Sequence, residues 1–279
     1  MKKAFTNFKW NIPSLIVSLP EGDSAEALFQ DYAKGIQKFE PNNDVNVLKY
    51  NPEIQAITGS NVFANGFLNY LLRNSGVRTS VPRDDIHDSI FNQIRNKYYN
   101  DFNALVAQKD LPSFEKNKGL WKKVIELAEA KKGSVKFPFM ISGFYILPDK
   151  TDKDYGVKII SAPNFEIIED ERFKGDYNEW KFDDTDENGL PVGLNKNKGS
   201  RTFYTRKDGL SGVCLGRVGI LDAISDSLAI SYGNGRVVLV SNAESVANAT
   251  LFSVEKMLKE KRDKLDVIEQ KYLAEIKNI

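Results

Sequence analysis

Residues 208–243 contain no Lys, Glu, Gln, Met or Trp. Most positions carry Gly, Val, Cys, Ile, Asp, Ala, Ser, Tyr or Asn, and Leu, Arg and Val recur at Leu210, Leu215, Arg217, Leu221, Leu228, Arg236, Val237 and Val238. Buried strands avoid long charged side chains, so a glycine-rich buried sheet is one reading of this stretch. Two features oppose it. Residues 216–234 show neither clean alternation nor a helical stripe. Glycines at 209, 212, 216, 219, 233 and 235 favour irregular backbone over long strands. The segment therefore needs a frame supplied by the rest of the chain.

That frame must hold by burial. Cys214 is the single cysteine of 279 residues, so no disulfide can form within the chain. A length of this size supports one large domain or two small ones. Lys and Arg number 39 against 38 Asp and Glu, and a formal charge of +1 gives no case for a nucleic-acid or anionic-membrane partner. No apolar run approaches the ~20 residues of a membrane span. Asn7, Lys9 and Asn11 interrupt the N-terminal segment, so no secretory signal is expected and a cytoplasmic location is the default.

Apolar spacing predicts helices over 24–38, 61–72 and 120–132, the last stopped by Gly133. Pro82 suits a first helical position, and Ile86, Ile90, Phe91 and Ile94 extend that helix toward Val106. Residues 14–19, 44–50, 135–147, 157–168, 202–205 and 236–241 read as strands. Residues 183–199 read as a polar loop, and a long helix is expected from about Glu244. The domain reading is an N-terminal segment at 1–60 packed on a body at 61–241, followed by the helix at 242–279.

Four runs in the body carry a family resemblance: Ser200-Arg201-Thr202-Phe203-Tyr204-Thr205-Arg206, Leu210-Ser211-Gly212-Val213-Cys214-Leu215-Gly216-Arg217, Asp226-Ser227-Leu228-Ala229 and Gly235-Arg236-Val237-Val238-Leu239-Val240. Together they resemble the variable region of archaeal-type diversity-generating retroelement target proteins, whose fold is C-type-lectin-like, of the formylglycine-generating-enzyme type. Ser75-Gly76-Val77-Arg78-Thr79 with Asp84-Asp85-Ile86 is similar to the element that precedes a helix in that fold, with Val77 in place of its aromatic residue and a longer spacing to the acidic pair.

The resemblance implies an α+β fold: a lectin-like domain with a mixed, mostly antiparallel sheet and flanking helices. It also supplies a cause for the composition. Template adenines are miscopied in such systems, so an AAC codon becomes Tyr, Ser, Asp, Ile, Val, Gly, Ala or Cys, among others. It cannot become Lys, Glu, Gln, Met or Trp, because the third base stays a pyrimidine. The implied function is recognition of a protein or glycan ligand, without catalysis or cofactor. Leu215, Leu221, Leu228 and Ala229 are assigned to the scaffold. The expected ligand-binding face is Val213, Cys214, Gly216, Val218, Gly219, Ile220, Asp222, Ala223, Ile224, Ser225, Ser227, Ile230, Tyr232, Gly233 and Asn234, with Tyr232 as the best anchor.

Other motifs point elsewhere. Asp184-Thr185-Asp186-Glu187-Asn188-Gly189 matches the start of a calcium loop, but Asn195 replaces the bidentate Glu and Pro191 lies inside, so a solvated Asn-Gly turn is expected. One His (His87) and one Cys do not supply the ligand set of a zinc site, and the single Cys214 argues against formylglycine-generating chemistry, which uses a cysteine pair. Glu166, Glu169, Asp170 and Glu171 could act as paired carboxylates of a glycoside hydrolase, but a charge run at a strand end is usually a solvated edge. Leu251, Val254, Leu258, Leu265, Ile268 and Tyr272 follow coiled-coil spacing along a helix of about 50 Å. That stripe requires cover, from the body or from a second chain, so self-association or an assembly role stays open.

Overall fold

The computed structural model describes residues 15–17, 30–31, 34–35, 49–51, 56–59, 61–74, 77–82, 99–175, 177–216, 219–225, 227–229, 233 and 235–241. Most of the expected 24–38 helix, the acidic element with His87 and the C-terminal helix lie outside these residues. The described chain is a mixed α+β fold with mostly antiparallel sheets and few helices.

Helix α1 (Val62–Leu71) begins at Asn61, whose side-chain oxygen accepts from the Ala64 amide at 2.8 Å. That cap satisfies an amide without a partner inside the helix. Helix α2 (Glu115–Lys132) starts before the apolar spacing that marks it, and ends at Gly133 as expected, with φ 87°.

Strand β5 (Tyr99–Ala107) is the centre of a ten-stranded sheet. The expected helix running to Val106 is thus corrected over these residues. Phe102, Ala104 and Val106 enter one core, while Leu105 and Ala107 enter the other. Burial on both sides leaves β5 without an amphipathic stripe, and long-range pairing overrides a local helical reading.

Strand β10 (Leu210–Leu215) pairs antiparallel with β5 along one edge. The other edge forks. Strand β12 (Gly235–Arg236) pairs parallel with Tyr99 and Asn100, and β6 (Phe139–Pro148) pairs antiparallel with 104–107. Buried asparagines line the gap. Asn65 Nδ2 donates to the Asp101 carbonyl at 2.6 Å, and Asn100 Nδ2 donates to Ser80 Oγ. Asn103 donates to the Phe144 carbonyl and Thr79 Oγ1, and accepts from the Phe144 amide. Side chains here supply bonds that a continuous neighbouring strand would make.

Strand β7 (Val157–Glu169) pairs with β6, and their register shifts beside Gly143. Beyond β10 lie β11 (Ile220–Ser225), β9 (Arg201–Thr205) and β8 (Trp180–Phe182) in that order, with β9 and β11 parallel. Beyond β12 lie β3 (Ala56–Thr58) and β2 (Lys49–Asn51). A second, three-stranded sheet orders β1 (Leu15–Val17), β13 (Leu239–Ser241) and β4 (Val77–Thr79).

The expected closing strand at 236–241 is divided between the two sheets. Val237 and Val238 make the crossing, and they enter different cores. The first core joins α1 and α2 to β6 and β7, with Leu210 and Leu228. The second lies on the opposite face of β5, β10 and β11, under Phe173, Phe182 and Leu190.

Candidate recognition face

The face is built on β9, β11, β10 and β5. Period-two alternation divides the segment whose sequence reads as irregular. Leu221 and Ala223 point from β11 into the second core beside Val213 and Leu215 of β10. Ile220, Asp222 and Ile224 occupy the other parity and are half-buried. Leu215, Leu221 and Leu228 are fully interior, and Ala229 is partly buried against the first core.

Three residues of the expected face take interior positions. Val213 and Ala223 retain 2% and 1% of their surface, and Gly219 is buried in the β10–β11 connection. Small aliphatic side chains carry no local mark of which way they point; strand parity decides it. Cys214, Gly216, Ile220, Asp222, Ile224, Ser225 and Ser227 are half-buried and Gly233 is exposed. Val218, Ile230, Tyr232 and Asn234 lie outside the described residues.

Cross-strand register adds two residues that the sequence reading missed. Asp101 of β5 pairs with Cys214 of β10, Cys214 with Asp222 of β11, and Asp222 with Tyr204 of β9. Directly paired residues share a side of the sheet, so these four form one polar row across four strands. No local motif marks Asp101 or Tyr204; only pairing brings them to the segment.

Burial raises the Cys214 thiol well above its usual range, helped by Asp222 and Asp101. A thiol held neutral is a poor nucleophile. Burial also raises the Asp222 carboxyl, against the bond its Oδ1 accepts from the Ile224 amide at 2.8 Å. The edges of the face are tied to the frame. Arg206 donates to the Ile224 carbonyl and to Asp208. Asn61, besides capping α1, donates to the Ala229 carbonyl at 2.8 Å.

No family model, curated protein or solved structure matches this chain.

The remaining motifs resolve into structural contacts. Asp186, the third position of the calcium-like loop, has both oxygens engaged. Its Oδ1 accepts from the Asn188 and Leu190 amides, and its Oδ2 from Arg172. Gly189 closes the Asn-Gly turn with φ 69°. Among the described residues no group of three or more His, Cys, Asp or Glu is placed to hold a metal. Glu169 bonds to Lys132, which holds its carboxyl below the usual range. Burial pushes Asp170 up, but bonds from Arg172 outweigh it and leave the carboxyl low. A glycosidase acid needs a raised value. No helix among the described residues is long and apolar enough to cross a membrane.

Arg172 holds this loop region together. Its guanidinium binds Asp170 and Asp186 and donates to the Leu190 and Pro191 carbonyls. Arg172→Met should lower stability at pH 7 by roughly 2 kcal/mol, a value discounted for partial solvent exposure. Asp170 is depressed in the folded chain, so its contribution is present above the unfolded value near ~3.9 and is lost as pH falls through the depressed one. The gap between wild type and variant should hold from pH 7 down to about 5 and narrow in urea melts as pH falls from about 4 toward 2. A gap that widens on acidification would contradict the assignment.

Proposed function

We propose that this chain is a non-catalytic recognition protein with a C-type-lectin-like domain, in which a retroelement diversifies the face around β11 to bind different protein or glycan ligands. The observation that carries this reading is the alternation of β11. Ile220, Asp222 and Ile224 share the half-buried side, while Leu221 and Ala223 are interior. Side chains on one side of such a strand can change without emptying the core, whereas replacing Leu221 leaves a cavity. The restricted residue types of 208–243 coincide with this segment. The neutral Cys214 thiol and the low Glu169 and Asp170 carboxyls give no support to a nucleophile or a general acid at those positions.

Sequencing the genomic neighbourhood tests the reading. A near-copy of the 208–241 coding segment is expected, beside a reverse transcriptase gene. Its adenine mismatches should fall on codons 214, 216, 220, 222, 224, 225 and 227, and should spare Leu215, Leu221 and Leu228. Absence of a repeat, or mismatches concentrated on the three leucine codons, would overturn it.

A further inference from the structure

Asp222 is an unusual residue to find in the middle of a sheet face. It is half-buried, and no cation among the described residues forms an ion pair with it. The hydrogen bond it accepts is local, from the Ile224 amide to Oδ1. Ile220 and Ile224, two positions away on either side, share its face, and the paired strands place Cys214 and Tyr204 beside it. A carboxylate desolvated in this way is destabilised unless a partner compensates it. Arg206, the buried cation that donates to the Ile224 carbonyl, is already paired with Asp208.

Resting on the recognition reading above, we propose that the ligand of this copy is a protein that inserts a lysine or arginine side chain against Asp222, with Ile220 and Ile224 flanking its aliphatic stem. Charge complementarity selects this occupant. Among the described residues the Asp222 carboxylate, set between two aliphatic side chains, forms no ion pair. A basic residue has the matching form, an apolar stem ending in a cation. A charge-assisted bond formed in a partly dry site is stronger than one in water. Sugar hydroxyls could also donate to a carboxylate, and Tyr204 lies beside this one, so glycan binding is an outcome of the test.

The test uses the full-length ¹⁵N-labelled chain and the peptide acetyl-Leu-Arg-Leu-amide. Its control is the same peptide with citrulline, which keeps the shape of arginine and lacks the charge. Saturable amide shifts are expected around residues 220–224 with the arginine peptide. Affinity should be at least about tenfold weaker for citrulline and for Asp222→Asn. The spectrum itself reports whether the variant is folded, and Asp222→Glu should restore part of the affinity. Equal binding of the two peptides, unchanged affinity in folded Asp222→Asn, no shifts at all, or a preference for oligosaccharides on a glycan array would each overturn the proposal. A template repeat found beside the gene together with any of these results would leave diversified recognition standing and remove only the basic ligand. Absence of the repeat would remove the recognition reading itself.

Discussion

Replacing Gly143 by alanine should destabilise the fold by about 3–5 kcal/mol, a large fraction of the stability of an ordinary domain. Two independent effects add at this position. The backbone has φ 69°, a left-handed conformation that costs an L-residue roughly 1–2 kcal/mol. An added Cβ would also lie 2.3 Å from the Asn164 carbonyl oxygen and 2.7 Å from its carbon. These are backbone atoms of the neighbouring strand and cannot swing aside. Gly143 sits where the β6–β7 register shifts, so relief of the clash must disturb the pairing that carries the first core. Gly133→Ala separates the two effects. It has φ 87° but open space around the missing Cβ, and should cost only about 1 kcal/mol. Urea midpoints of both variants check the contrast, and equal losses would show that the close approach to Asn164 contributes nothing.

The second large effect is expected at Asn103. Its side chain is fully buried in the fork beside β5, where it serves the Phe144 amide, the Phe144 carbonyl and the Thr79 hydroxyl. Asn103→Leu keeps a similar volume and removes every one of these bonds. A buried polar group left without a partner costs about 1–3 kcal/mol, so the variant should lose roughly 3–5 kcal/mol. The loss should also be local in character. Hydrogen exchange at the Phe144 amide should accelerate more than exchange in α2, because the fork opens before the helix does. Asn197→Ala, on an exposed loop, should stay within about 0.5 kcal/mol of wild type. Protection at Phe144 unchanged in Asn103→Leu would mean that backbone pairing, without the side chain, closes the fork.

Both predictions concern the frame, and that bears on the recognition role proposed above. A face that tolerates many side chains needs a support whose stability does not depend on them. In this chain Leu215 and Leu221 enter the second core, opposite the half-buried side of β11, while Asn103, Gly143 and Leu228 are held by the fork and the first core. The frame can therefore stay constant while Ile220, Asp222 and Ile224 change.

Several elements are legible in the amino-acid sequence alone. Asn61, the Gly133 stop and the apolar spacing between them locate two helices, because such signals act within a turn or two of chain. The strands at 157–169 and 201–205 are legible from their β-branched and aromatic content, and the three buried leucines at 215, 221 and 228 stand out against small neighbours. The centre of the sheet is not legible. Residues 102–107 are buried on both faces, so their pattern carries no period that separates strand from helix.

Local sequence by itself thus determined which segments are apolar, where two helices lie, and which residue types the 208–243 stretch allows. Tertiary structure alone decided that 236–241 serves two sheets, that Val213 and Ala223 point inward while Ile220 and Ile224 do not, and that Asp101 and Tyr204 join the row of Asp222. The reason is register. A shift of one residue exchanges the two faces of a strand, and the register of β10, which β11 follows, is set against β5 more than a hundred residues earlier in the chain.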